Sequence, residues 1–120
     1  MKETITFFMN NEDISKIIIV FCTAPPGEAH SIAAKLIEKA LAACVNIFPI
    51  RSIYRWEGSI CDEPEDLLII KTCRDLIHEL TSYLVSIHPY ETPEVLCLPV
   101  VHGYDDYISW VMREVQKRHS

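Results

Sequence analysis

The sequence predicts an α+β fold: a ferredoxin-like βαββαβ sandwich with an overlong hairpin between its second and third strands and an additional C-terminal helix. Three observations predict it. Apolar β-branched runs alternate with amphipathic helical patterns in the order β-α-β-β-α-β. One extended stretch, from Ala43 to Trp56, is too long for the sheet of so small a domain. A last helical pattern follows Gly103.

The first strand is Ile17-Ile18-Ile19-Val20-Phe21-Cys22, a short continuous apolar run of the kind that is covered or paired on both sides. Thr23-Ala24-Pro25-Pro26-Gly27 ends it. Ala29, Ile32, Ala33, Leu36, Ile37, Ala40 and Leu41 then recur at helical spacing, with Lys35, Glu38 and Lys39 on the opposite face.

From Ala43 to Trp56 the chain reads as extended, about 45 Å at ~3.3 Å per residue. Strands are usually five or six residues long. Pro49 cannot donate to a ladder and marks a bulge or an edge. Glu57-Gly58-Ser59 supplies the turn, and Leu67-Leu68-Ile69-Ile70 returns towards Cys73. The distal half of such a hairpin needs a partner, which points to a subunit interface at Tyr54, Arg55, Trp56, Glu57 and Gly58.

A second helix is expected from about Asp75, acting as cap or first-turn carboxylate, with Leu76, Ile77, Leu80, Leu84 and Ile87 as its buried stripe. Val95-Leu96-Cys97-Leu98 forms the fourth strand. The last helix buries Tyr107, Ile108, Val111 and Val115.

Composition bounds the function. The chain has 120 residues, enough for one core, and 49% hydrophobic residues argue for a globular domain. Residues 1–15 read as an N-terminal arm and residues 16–120 as the domain. The net charge is −6, without the basic cluster that nucleic-acid binding needs, so no nucleic-acid partner is expected. No apolar run approaches the ~20 residues of a membrane helix, so no membrane partner is expected. The N-terminus lacks a secretory pattern, and a cytoplasmic location is expected. The five cysteines, an odd number without CxxC spacing, are expected to be reduced and mostly buried.

Six segments, in order, resemble the CutA divalent-cation tolerance family: Phe21-Cys22-Thr23-Ala24-Pro25, Leu41-Ala42-Ala43-Cys44-Val45-Asn46-Ile47, Ser52-Ile53-Tyr54-Arg55-Trp56-Glu57-Gly58, Ile70-Lys71-Thr72, His88-Pro89-Tyr90-Glu91-Thr92-Pro93-Glu94 and Leu98-Pro99-Val100. The resemblance spans roughly Lys16 to Val115. It implies a tight homotrimer and binding of copper or another divalent metal ion. It also implies metal-linked cysteines at Cys22 and Cys44; the third such position, on the second helix, is Tyr83 here.

Topology gives a second view of the metal site. Parallel first and second strands put Cys22 and Cys44 at opposite ends of the sheet, some 20 Å apart within a subunit. An antiparallel fourth strand brings Cys22 to the loop holding His88 and Glu91, a mixed soft and hard donor set suited to a transition metal. The alternative for that loop is a rigid connection fixed by two prolines, with His88 finishing the helix. Cys22 with His88 could also form a nucleophile and base, but no catalytic motif or glycine-rich phosphate loop accompanies them, and no enzyme activity is expected.

Three functions follow. The first is a trimeric cytoplasmic protein that binds divalent metal, copper first, and contributes to divalent-cation tolerance. The second is a small-molecule-sensing trimer of PII-like architecture, with an intersubunit cleft containing Trp56, Lys71, Tyr90 and Trp110. The third is a structural trimer that localises a partner through its N-terminal arm.

Overall fold

A computed structural model describes residues 16–116; the N-terminal arm of residues 1–15 lies outside the described residues. The strands are β1 (Ile17–Ala24), β2 (Cys44–Trp56), β3 (Ser59–Cys73) and β4 (Leu96–Pro99). The helices are α1 (Ala29–Glu38), α2 (Ile77–Ile87) and α3 (Asp105–Gln116), and a 3-10 turn, Arg74–Leu76, precedes α2. The fold is α+β, with one sheet in the order β2-β3-β1-β4 and every neighbouring pair antiparallel.

The pleat sends successive residues of a strand to opposite faces. Ile18, Val20, Cys22 and Ala24 of β1, with Leu68 and Ile70 of β3, form the main core beneath Ile32 and Leu36 of α1 and Leu80 and Leu84 of α2. A second, smaller core closes the far end of the sheet. There Ile17, Ala43, Cys73 and Leu76 meet Ile108, Val111, Met112 and Val115 of α3.

Helix α1 ends at Glu38, earlier than the spacing through Leu41 predicts. Ala40 takes a left-handed backbone (φ 54), and the Leu41 and Ala40 amides donate to the Leu36 and Ile37 carbonyls, both at 3.0 Å. That is a Schellman closure with alanine where glycine is usual. It leaves Ile37 45% exposed, outside the core stripe. Of the two roles expected for Asp75, it takes the second: it is no cap but a carboxylate in the first turn of the 3-10 segment that leads into α2. The chain enters α2 through the 3-10 turn, and no side chain bonds its N-terminal amides. Tyr107, expected in the buried stripe of α3, is exposed, and Met112 takes a core place instead.

The long hairpin is real and regular. β2 pairs with β3 without a bulge from Cys44↔Lys71 to Trp56↔Ser59. Pro49 sits on the edge strand, where a missing amide costs the ladder nothing. Pro64 lies where β3 has itself become an edge, because β1 stops at Ala24↔Asp66. Glu57 (φ 50) and Gly58 (φ 82) form the two-residue turn that matches strand twist. Beyond Asp66 the hairpin runs about 23 Å as two strands alone. The molecule measures 58 × 26 × 21 Å, and its radius of gyration of 16.1 Å exceeds the ~13 Å of a compact domain this size.

The sheet face away from α1 and α2 is largely open. Cross-strand register sets its rows: Phe48, Leu67 and Thr23; then Asn46, Ile69, Phe21 and Leu96; then Cys44, Lys71, Ile19 and Leu98. Phe48 is 59% exposed and Leu96 57%. Among the described residues, no helix is long and apolar enough to cross a membrane.

Candidate functional site

Pro89 organises the loop between α2 and β4. A residue before proline is pushed out of the helical region, and His88 is accordingly extended (ψ 139), ending α2 at Ile87. The imidazole turns back onto β1. Its Nε2–H donates to the Thr23 carbonyl at 2.8 Å, and its Nδ1 accepts the Tyr90 amide at 3.0 Å. The Tyr90 ring packs on it, centroids 4.9 Å apart. The Tyr90 phenol then reaches across to β3 and donates to Oε2 of Glu65 at 2.6 Å. Burial, with Glu65 second, raises its pKa. Glu65 is only 6% exposed.

This chain of contacts fixes one wall of a cleft of about 690 Å³ between the loop and the hairpin. Ser52, Ile53, Tyr54 and Trp56 form the hairpin wall, Thr23 and Glu65 the floor, and Pro89, Tyr90, Glu91, Thr92 and Glu94 the loop wall. The Tyr54 phenol is turned onto Glu63 (3.4 Å).

The fold brings Cys22 and His88 into one region, as topology predicts, but not as a ligand pair. Both imidazole nitrogens are committed, so no lone pair of His88 faces a metal. Cys22 is fully buried, and burial, followed by the Glu94 and Glu65 charges, pushes its thiol up to about 12. A metal needs the thiolate. Glu91 is exposed on the cleft rim. Among the described residues, no group of three or more His, Cys, Asp or Glu side chains is placed to hold an ion.

Cys44 is elsewhere, though nearer to Cys22 than the expected 20 Å. It lies level with Lys71 and Ile19, three residues along and two strands across from Cys22, about 14 Å away. The reason is that β2 enters the sheet level with Ile19, the third residue of β1, and not before its start. The Lys71 ammonium donates to Cys44 Sγ at 3.8 Å, and the Tyr107 phenol, its pKa raised by burial and then by Cys44, lies on the same thiol. Tyr107 stacks on Trp110 at 5.6 Å.

The expected cleft of Trp56, Lys71, Tyr90 and Trp110 therefore divides within one subunit. Trp56 and Tyr90 share the cleft by the loop. Lys71 and Trp110 belong to the Cys44 cluster, about 20 Å along β3 from Glu65. Sequence reasoning missed Glu65, the buried acid at the centre. The signal was present: Glu65 keeps the period-two phase of Leu67 and Ile69, so extending the strand towards the hairpin tip carries it to their face.

These features define a class, small α+β sheet proteins with one largely open sheet face and a hairpin that runs on as two strands beyond the rest of the sheet. A family model described as CutA1 divalent ion tolerance protein matches residues 18–114. The divalent-cation tolerance protein CutA of Citrobacter koseri is 44% identical over 106 residues, covering 85% of this chain and 92% of that one. The chloroplastic protein CutA of Arabidopsis thaliana is 44% identical over 96 residues, 78% of this chain; the chain spans about half (53%) of that relative's length. The solved apo form of the PII-like protein CutA from Nostoc sp. PCC 7120 superposes with a TM-score of 0.78 at 35% identity, covering 82% of this chain and 96% of that one. The chain belongs to the CutA1 divalent ion tolerance family.

Proposed function

We propose that the chain is the subunit of a ferredoxin-like homotrimer that binds divalent metal, copper first, in the cytoplasm and contributes to divalent-cation tolerance by binding rather than catalysis. The observation that carries the assembly is the uncovered apolar sheet face, continued by a hairpin with exposed apolar side chains on both of its faces. Tyr54 and Trp56 lie on one face, and Ile53 (68% exposed) and Ile60 (69%) on the other. A two-stranded ribbon is marginal in water by itself. Neighbouring subunits that clasp it bury these residues, with Arg55, Glu57 and Gly58 at the contact.

Divalent-cation handling comes from the names of the relatives. Since no subunit collects three donors among its described residues, the ion in this reading is held by donors from more than one subunit. Cys44, Cys61 and Cys97 are free and partly or fully exposed, and suit copper(I). Free thiols throughout also accord with a reducing compartment.

Sedimentation equilibrium is expected to give about three times the 13.8 kDa chain mass, and equilibrium dialysis a micromolar or tighter site for Cu(I), Cu(II) or Zn(II). A monomer, or binding no tighter than millimolar, overturns the reading.

A second reading is favoured by the cleft beside Tyr90 and by the likeness to the PII-like Nostoc protein: a trimer that senses a small molecule there. A cleft of this size suits a metabolite.

A further inference from the structure

We propose that hydrogen peroxide oxidises Cys44 and joins it to Lys71 through a sulfur–nitrogen bond, a reversible cross-link between β2 and β3 at the root of the hairpin.

Strand register makes the pair. Cys44 and Lys71 stand directly opposite each other on neighbouring strands, where Cβ atoms lie about 5 Å apart. The Lys71 side chain folds back towards its neighbour, and its Nζ lies 3.8 Å from Cys44 Sγ. Among the described residues no carboxylate forms an ion pair with Lys71 to draw it away. Helix α3 of the same subunit stands beside the pair: the Tyr107 phenol hydrogen-bonds the sulfur, and its ring stacks on Trp110. Every group in this contact comes from one chain, so the two strands carry it into any assembly that covers the sheet.

Chemistry selects Cys44 among the thiols. Reactive cysteines sit partly exposed beside a cation. Cys44 is half-buried, with an ammonium on its sulfur. Cys22 and Cys73 are buried, and burial raises both thiols. Cys61 and Cys97 are more accessible, but their cross-strand partners, Tyr54 and Val20, carry no amine.

Two steps make the link. The Cys44 thiolate attacks peroxide; the O–O bond breaks, sulfur keeps one oxygen as a sulfenic acid, and hydroxide leaves. That hydroxide takes a proton from the Lys71 ammonium. The free amine then attacks sulfur: an S–N bond forms, the S–O bond breaks, and water departs with one amine hydrogen. One thiolate, one ammonium and one peroxide become one sulfenamide and two waters. Sulfur gives up two electrons, and the peroxide takes them. Sulfenic acids condense even with a backbone nitrogen, and an amine is the stronger nucleophile. The flexible four-carbon stem of lysine closes the remaining distance. A thiol reverses the link by attacking sulfur and releasing the amine.

The link pins β2 to β3, removes the Lys71 charge and withdraws Cys44 from the thiols open to copper(I).

The test is a tryptic peptide map, read by mass spectrometry without reductant, of the full chain treated briefly with hydrogen peroxide in its native assembly. The peptide holding Cys44 is expected to be joined to the one spanning Lys71. The joined species is expected to be lighter by two hydrogen atoms, uncut after Lys71, and separated again by dithiothreitol. Lys71→Arg keeps the charge and the donor but offers no free amine. It is expected to lose the link and to leave a Cys44 sulfenic acid that dimedone traps. The wild-type map decides the matter even where that variant fails to fold. A disulfide from Cys44, which leaves trypsin free to cut after Lys71, overturns the proposal. So does a Cys44 that stays reduced in the native assembly, or whose sulfenic acid persists equally beside lysine and arginine. A link that retains one oxygen overturns the direct bond while the pairing stands.

Discussion

The Tyr90 phenol donates to Glu65 across 2.6 Å, joining the α2–β4 loop to the strand that carries the hairpin. Glu65 is buried, so its carboxylate depends on that donor. Removing the hydroxyl leaves a desolvated acceptor without its partner, at a cost of about 1–3 kcal/mol. Tyr90→Phe is expected to lose that much stability in urea denaturation. Glu65→Gln accepts the same bond through its amide oxygen and is expected to lose less. Equal losses would mean that packing, and not the hydrogen bond, holds the loop.

Cys22 gives the fold a pH dependence. Its thiol is raised to about 12 in the folded state from about 9, chiefly by burial. Between those values the unfolded chain has released a proton that the folded chain keeps, so stability falls as pH rises. The slope approaches 1.4 kcal/mol per pH unit for one group. The stability Cys22 contributes is thus whole below pH 9 and lost progressively above it. Denaturation midpoints between pH 7.5 and 10.5 are expected to decline less steeply in Cys22→Ala than in the wild type. The native thiol is also expected to resist aromatic disulfide reagents at pH 8. Rapid modification of Cys22 in the folded protein would contradict its burial.

His88 separates a structural role from a metal role. With one nitrogen donating to Thr23 and the other accepting from Tyr90, the ring ties the end of β1 to the loop. His88→Ala is expected to destabilise the protein by roughly 2 kcal/mol, as a lost pair of buried hydrogen bonds does. Metal affinity in equilibrium dialysis is expected to stay within twofold. A variant that folds normally but loses metal would return the imidazole to the ligand set.

Much of this architecture was legible in the residues. The β-branched run of β1, the heptad-like stripe of α1 and the excessive length of β2 each follow from local periodicity, and the register obeys them. The candidate site was legible only in part. Topology brings Cys22 near His88, but whether an imidazole offers a lone pair depends on where its two nitrogens point. The ψ of His88 follows from Pro89, but the position of the Tyr90 amide against Nδ1 does not follow from any spacing. Lys71 illustrates a second limit: within one subunit its partner is the Cys44 thiol across the strand, beside Tyr107 and Trp110, a grouping that no spacing in the sequence brings together. Period-two reading needs to be carried past the apolar run to reach Glu65.

Ala40 closes α1 at φ 54, a conformation that costs an L-residue about 1 kcal/mol and glycine nothing. The side chain is nearly buried, so a methyl group's packing is lost on substitution. The strain is the larger effect, because glycine is the usual residue of this closure. Ala40→Gly is expected to raise stability by about 0.5 kcal/mol in urea denaturation. A loss of 1 kcal/mol or more would show that the methyl group's contacts outweigh the strain.

The open face supplies the last prediction. Phe48 and Leu96 lie at opposite edges of the sheet, on β2 and β4, in adjacent rows of the same face, and both are more than half exposed. Neither contributes to the two cores. A charge at either position costs an isolated subunit little, since the side chain is already in water. In an assembly that covers this face, the same charge is buried without a partner, which costs several kcal/mol per contact and is repeated in every subunit. Phe48→Asp and Leu96→Asp are therefore expected to lower the sedimentation mass towards 13.8 kDa while far-ultraviolet circular dichroism stays native in shape. Ile37→Asp, exposed on α1 on the sheet's other side, is expected to leave the mass unchanged. Wild-type mass in both sheet variants would move the interface off this face and onto the hairpin alone.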